Sequence, residues 1–211
     1  MKAAILGAAG RTGKVLIEEA LNRGHEVIGI ARDPDRIVSM DSRVIKRQGD
    51  AYDEHSVISA LADAEAVITT VGKINLKDKR TDLSTVAHRA VIKGMHEHGI
   101  RPLFVISSIG AAPDVKRKGL VRNLYLYFRR QYYGDMHQME QEVLQSGLDV
   151  TVLRAPILTN GIRTGRYKIM EEENYLERLE ITREDLASFI FDELEGRHWN
   201  QRVITVHSDH G

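Results

Sequence analysis

Ile5-Leu6-Gly7-Ala8-Ala9-Gly10-Arg11-Thr12-Gly13-Lys14-Val15-Leu16 is the stretch that decides the fold. The apolar run Ala3 to Leu6 leads directly into glycines at positions 7, 10 and 13, and a helical pattern follows from about Thr12 to Arg23. Glycines carry a mechanism in this strand–turn–helix context. Gly7 permits the tight turn out of the strand. Gly10 lets backbone approach a pyrophosphate with no side chain between, and Gly13 lets the helix pack closely on the sheet. The helix N-terminus turns free N–H groups and a partial positive charge toward the phosphates. Gly7, Ala9, Gly10, Arg11, Thr12 and Gly13 are therefore the expected phosphate-binding residues of a Rossmann unit.

Outward from this stretch, strand-like and helix-like segments alternate. Gly24 stops the first helix, and Val27 to Ile30 is a second strand. Val44 to Lys46 is a third strand. A helix around His55 to Ala62 leads to a fourth, Ala66 to Thr70. A helix from Leu83 to His98 precedes the fifth strand, Leu103 to Ser107. A helix ending at Ser146-Gly147 precedes Val150 to Leu153, and Val203 to Val206 is the last strand. The strands are apolar without polar alternation, as strands covered on both faces are. The expected fold is α/β, a Rossmann-like doubly wound parallel sheet with helices on both faces, in a single domain of 211 residues. Residues 109–135 and 155–182 break the rhythm and are expected to build the substrate side of the cleft.

The bulk composition narrows the partner. Lys and Arg number 30 against 30 Asp and Glu, so no net field steers the chain to nucleic acid or to a membrane. The absence of cysteine excludes disulfides, thiolate metal sites and cysteine nucleophiles, and fits a reducing compartment. The N-terminal apolar run is too short for a signal peptide, and no run reaches the length of a bilayer span. The expectation is a cytoplasmic protein, a monomer or small homo-oligomer, whose partner is a small molecule.

The end of the second strand chooses between cofactors. NAD sites place an acid there to hold the ribose hydroxyls, whereas an arginine accommodates the 2′-phosphate of NADP. This chain reads Gly29-Ile30-Ala31-Arg32-Asp33-Pro34, with Arg36 four residues beyond Arg32. Arginine pairs with phosphate through parallel charge-assisted bonds, so NADP(H) is favoured, with NAD kept as the alternative by Asp33. Asp50, after the third strand, is a candidate acceptor for the adenine amine or else part of a plain turn. Val71 and Gly72, after the fourth, are expected beside the cofactor ribose.

With these pieces placed, the sequence resembles the atypical short-chain reductases with an NAD(P)H-binding domain, and most of all the flavin reductase/biliverdin reductase B group and its bacterial relatives. The likeness covers nearly the whole chain. It rests on the Gly7 to Gly13 loop, Ala31-Arg32-Asp33-Pro34, Gly49-Asp50, Ser107-Ser108, Ser146-Gly147-Leu148, Leu153-Arg154-Ala155-Pro156 and Ile181 to Ala187. It implies reduction of a flavin, quinone or similar conjugated acceptor, or a non-catalytic role as an NADP(H)-binding regulator. By this resemblance, backbone near Pro156 and Ile157 would contact the carboxamide, although relatives commonly carry Arg-Pro-Gly where this chain has Arg154-Ala155-Pro156.

Typical members of the superfamily use Tyr-x-x-x-Lys on one helical face with a Ser at the end of the fifth strand. Here the motif reads Tyr133-Gly134-Asp135-Met136-His137, with His137 where the lysine would fall. Imidazole titrates near neutrality, so His137 is a candidate proton donor or orienting group; the alternative is that it simply faces the cleft or solvent. Gly134 and Asp135 are poor helix-interior residues, so the helix is expected to start after Tyr133, which would spoil the Tyr–His spacing. Ser108 is the candidate hydroxyl contact with nicotinamide or substrate, with Ser107 beside it; strand-end capping is the competing role. Lys116 to Tyr133 is basic and aromatic. Leu120, Leu124, Tyr127 and Phe128 recur in it at helical spacing, so an amphipathic helix flanking the cleft is favoured over a nucleic-acid surface. Histidines 96 and 98 point different ways on a helix, and histidines 207 and 210 lie in a tail expected to fray, so no metal site is expected.

Overall fold

Residues 1–72, 81–112, 130–171, 179–196 and 198–209 are described by a computed structural model. The elements are β1 (Lys2–Leu6), α1 (Arg11–Asn22), β2 (Glu26–Ala31), β3 (Val44–Gln48), α2 (Glu54–Ala60), β4 (Ala66–Thr69), α3 (Leu83–Glu97), β5 (Pro102–Ser108), α4 (Arg130–Leu144), β6 (Asp149–Ala155), β7 (Ile157–Thr159), β8 (Tyr167–Met170), β9 (Glu180–Thr182), α5 (Arg183–Gly196) and β10 (Arg202–Ser208). Eight of these strands form one sheet in the order β3-β2-β1-β4-β5-β6-β10-β8. Every pair in it is parallel except the last, where β8 runs antiparallel to β10.

Alternation along β1 explains the layering. Ala3 and Ile5 pack against Leu16, Ile17 and Ala20 of α1 and Leu186 and Ile190 of α5. Ala4 and Leu6 belong to the opposite cluster, with Val57 of α2, Val91 and Met95 of α3 and Met139 and Val143 of α4. Successive side chains of a strand point to opposite faces, so a strand apolar throughout needs cover on both sides, and two separate cores result. The strand order reverses between β1 and β4, which places the crevice for a ligand at the carboxyl ends of those two strands.

Two expectations are corrected. The α4 helix runs through Gly134 and Asp135 rather than starting after Tyr133. Asp135 is held there by a tertiary role: its carboxylate accepts from the backbone N–H groups of Ser84 and Thr85 at 2.8 and 3.0 Å, capping the first turn of α3. Two orphan donors satisfied in this way outweigh the modest helix propensity of aspartate. The C-terminal tail is ordered through His207, which pairs with Lys168 across the β10–β8 ladder; His210 lies outside the described residues. The irregular segment 155–182 contains strands β7, β8 and β9, of which β7 and β9 form a small parallel sheet of their own. Residues 113–129, most of the basic aromatic stretch, lie outside the described residues.

Candidate functional site

The loop between β1 and α1 is fixed by its glycines. Gly7 has φ +94°, a backbone conformation natural only to glycine, and a Cβ there would stand 2.5 Å from Thr70 Oγ1. The N–H groups of Gly7 and Ala8 both donate to Ile30 O, tying the loop to the end of β2. Gly13 is buried, and a Cβ on it would lie 2.4 Å from Gly7 O and 2.7 Å from Ala8 Cα, so the helix sits directly on the loop. Gly10 is different. Its φ of −78° suits any residue, and the one atom near its missing Cβ is Gly7 O at 3.1 Å.

The N-terminus of α1 carries no side-chain cap and no acid in its first turn. By contrast, Asp53 caps α2 and Asp135 caps α3. The N–H groups of Arg11, Thr12 and Gly13 have no acceptor among the described residues. Orphan donors at a helix N-terminus on the switch point, reached over a bare Gly10, fit a bound pyrophosphate. Arg11, Arg32 and Arg36 are all exposed around this loop and the end of β2. Asp33, the NAD alternative, accepts from Asp35 N at 3.3 Å and caps a short turn over Pro34–Arg36. Asp50 accepts from Tyr52 N at 3.0 Å, so one carboxylate oxygen serves a local turn. A shallow polar depression lined by Met1, Lys2, Gly24, Glu26, Asp63 and Glu65 lies at the amino ends of the strands, the wrong edge for a ligand of an open α/β sheet.

On the far side of the switch point, Thr70 donates to Gly7 O at 3.3 Å, and Val71 and Gly72 follow. A Cβ at Gly72 would lie 3.8 Å from Tyr132 Oη, so Tyr132 of α4 reaches across to this edge; sequence reading had singled out its neighbour. Behind it stands His88, wholly buried. Its Nδ1 bonds Ser84 O and its Nε2 bonds Thr69 Oγ1, each at 2.7 Å. A carbonyl can only accept, so Nδ1 carries the proton of the neutral ring and Thr69 donates to Nε2. Burial pushes the imidazole down from 6.5 to about 4, and the Ser84 and Asp135 interactions offset only part of this. The unfolded chain therefore takes up this proton first. The contribution of His88 to stability is complete above pH 6.5 and lost as pH falls to about 4, amounting to about 3 kcal/mol. Denaturant unfolding of wild type and His88→Gln across that window should show a steeper loss of stability in wild type than in the variant; equal slopes would contradict it.

Tyr133 and His137 lie one turn apart on α4. The Tyr133 ring lies against Gly110, where a Cβ would fall 2.2 Å from Cε1. Gly110 N in turn donates to Ser108 Oγ at 3.2 Å, so Tyr133 and Ser108 are brought together while the serine caps the strand end. Ser107 has a different place. It is buried, and its hydroxyl donates to Glu140 Oε1 at 2.5 Å. Glu140 is wholly buried and takes Arg154 Nη2 at 2.6 Å and Arg154 Nε at 3.2 Å. Ser107 and Arg154 face each other in the β5–β6 register, which explains how both reach one carboxylate on the helix above. His137 Nδ1 lies 4.0 Å from the same carboxylate. Glu140 was not singled out from sequence, although an acid between Met136, Met139 and Val143 on a buried stripe signals a partner within.

Pro156 is buried, and Ile157, 46% exposed, donates its N–H to Leu179 O at 3.2 Å. The strap after it is fastened from α5. Arg183 Nη1 donates to Thr159 O and to Asn160 Oδ1 at 3.0 and 2.7 Å. Asp185 accepts from Thr164 N and Gly165 N at 2.9 and 2.8 Å, and from the hydroxyls of Thr164 and Thr182. Burial alone would raise the Asp185 pKa, but these bonds outweigh it and hold the carboxyl below its ordinary value. Burial, and then the nearby Arg11, lowers that of Arg183. The Ile181 to Ala187 motif thus organises residues 157–165 at the carboxyl edge.

His96 and His98 bond backbone carbonyls of two different segments. His96 Nε2 bonds Ser146 O and His98 Nε2 bonds Ile58 O, each at 3.0 Å and on different neighbours. Among the described residues no group of three or more His, Cys, Asp or Glu could hold a metal ion, and no helix is long and apolar enough to cross a membrane.

Comparison with known proteins agrees with this fold. Across its full length the chain is similar in fold to an anaerobilin reductase of Escherichia coli, with TM-score 0.82 and 23% identity over 100% of this chain and 98% of that one. A short-chain dehydrogenase/reductase of Veillonella parvula solved in complex with NADP gives TM-score 0.81 and 20% identity over 99% and 95%. In sequence it is 27% identical over 208 residues to UPF0659 protein YMR090W of Saccharomyces cerevisiae, 92% of this chain and 87% of that one. It is 31% identical over 101 residues to eugenol synthase 1 of Petunia hybrida, a match spanning only 33% of that enzyme and 44% of this chain. Residues 7–196 match the family model described as NAD(P)H-binding, so the chain belongs to the NAD(P)H-binding family.

Proposed function

We propose that the chain is an NADPH-dependent reductase of the atypical short-chain type, acting on a flavin, quinone or similar conjugated small molecule. The observation that carries this reading is the uncapped N-terminus of α1 at the switch point, with Tyr133 and His137 aligned on α4 beside the end of β5. When bound, a reduced nicotinamide supplies a hydride. The chain's own residues bind and orient: the first-turn amides of α1 and Arg11 hold phosphate, and Arg32 and Arg36 meet the 2′-phosphate. Val71 and Gly72 flank the ribose, Pro156 and Ile157 adjoin the carboxamide, and Ser108 and Tyr133 face the acceptor. Orientation of two stacked reactants is itself a large part of catalysis.

A second reading, an NADP(H)-binding regulator without turnover, is favoured by one observation: no lysine follows Tyr133 by one turn, and Ser108 Oγ is engaged by Gly110 N. Oxidation of NADPH with FMN, a quinone or a linear tetrapyrrole separates the two. Saturable turnover supports the reductase; tight binding with no turnover on any acceptor supports the regulator. Arg32→Ala should weaken NADPH roughly ten- to a hundredfold and leave NADH unchanged, since it removes a charge-assisted contact with a phosphate that NADH lacks. Equal losses for both cofactors would contradict the assignment of Arg32.

A further inference from the structure

We propose that Glu140 is a positioning residue for His137, fixing which ring nitrogen carries the proton and which edge of the ring meets the acceptor. This rests on the reductase reading. His137 Nδ1 is buried and has no hydrogen-bond partner among the described residues. Its side chain is nevertheless 38% exposed, so the exposure falls on the remainder of the ring, Nε2 included. The carboxylate that Nδ1 meets, at 4.0 Å and three residues on along α4, is Glu140. Its Oε1 takes Ser107 Oγ, Oε2 takes Arg154 Nη2, and Arg154 Nε is shared between the two oxygens. A carboxylate offers about four acceptor sites and these four contacts use them, so the imidazole N–H takes over the Oε2 half of the shared Arg154 Nε bond, which then rests on Oε1 alone. A small rotation of the ring closes that bond. Such contacts are often long before a ligand is present and tighten when it binds.

The consequence is a defined proton donor. With Nδ1–H turned to Glu140, the neutral ring holds its lone pair on Nε2. The imidazolium gives its Nε2 proton to the acceptor while the hydride from the nicotinamide enters the same molecule. The N–H bonding pair stays on the ring, the acceptor gains one hydride and one proton, and His137 returns to the neutral Nδ1–H form. Serving as both anchor for Nδ1 and partner of Arg154, Glu140 links α4 to the end of β6 and keeps the ring from turning over. An oriented carboxylate behind a histidine fixes its tautomer by the same physics at hydrolase and metal sites.

The test reads the tautomer directly. Two-bond proton–nitrogen correlation spectra of 15N-histidine-labelled protein, with His137→Gln to assign the resonance, are recorded alone and with NADP+. The neutral wild-type ring should show the Nδ1–H pattern, and Glu140→Gln should convert it to Nε2–H. If Glu140→Gln fails to fold, Glu140→Asp keeps the Arg154 pair and withdraws the oxygen from the ring, with the same expected conversion. A wild-type ring in the Nε2–H form, or an Nδ1–H form that persists in the folded variant, overturns the proposal. In turnover the folded variant should lose roughly tenfold in kcat with an unchanged KM for NADPH; an unchanged kcat overturns the proton-donor role. Absence of turnover in wild type, with the tautomer as expected, sinks the reductase reading and leaves the arrangement of Glu140 and His137 standing.

Discussion

Glu140→Leu is expected to destabilise the protein by about 3–5 kcal/mol, whereas Glu140→Leu combined with Arg154→Met should cost far less. Both partners are buried, with side-chain exposures of 0% and 6%, and their closest contact is 2.6 Å. Removing the carboxylate alone takes from the buried guanidinium the carboxylate that it meets at 2.6 Å. A buried charge that loses its counter-charge is penalised heavily, while two apolar side chains of similar volume carry no such penalty. The cycle of single and double variants, read by denaturant unfolding, isolates the coupling. Additive losses would show that the two residues do not depend on one another. Because Ser107 and Arg154 belong to adjacent strands and Glu140 to the helix above, the same cluster holds α4, and with it Tyr133 and His137, at a fixed height over the ends of β5 and β6.

Gly10→Ala should leave the fold nearly intact and weaken NADPH binding by roughly ten- to a hundredfold. The backbone at Gly10 is already extended and suits alanine, and a methyl would meet Gly7 O at 3.1 Å, a contact relieved by a shift of a few tenths of an ångström. The same methyl stands where a pyrophosphate must approach the α1 amides. Overpacking of this kind costs about 1–3 kcal/mol, which converts to that loss of affinity. Gly13→Ala is the contrast. Its Cβ would be driven into backbone at 2.4 and 2.7 Å, so it should lower stability as well as binding. A thermal melt beside a cofactor titration separates the two glycines; equal destabilisation by both substitutions would contradict the role given to Gly10.

The parts of the molecule dictated by local pattern were legible in the sequence. Apolar runs such as Ala3 to Leu6 and Val150 to Leu153 could only be doubly covered strands, and Gly7 to Gly13 could only be a turn into a close-packed helix. The parts set by tertiary contacts were not. Strands β7, β8 and β9 are three or four residues long and exist because a partner strand completes them. Gly134 and Asp135 read as a helix boundary, yet Asp135 stays in the helix because it caps another one. Ser108 is the serine that the sequence favours, with Ser107 beside it; alternation sends Ser107 into the Glu140 cluster and leaves Ser108 to cap Gly110. Arg154 and Arg183 were visible as members of motifs, but their partners, Glu140 and the Thr159–Asn160 strap, lie 14 to 24 residues away.

One measurement bears most directly on the central claim that the β1–α1 loop is an NADP(H) site: calorimetric titration of the wild-type protein with NADPH and, in parallel, NADH. The expected result is saturation at one site per chain, tighter for NADPH, and clearly weakened by Gly10→Ala. Absence of binding by either nucleotide, or binding that Gly10→Ala leaves unchanged, would contradict it.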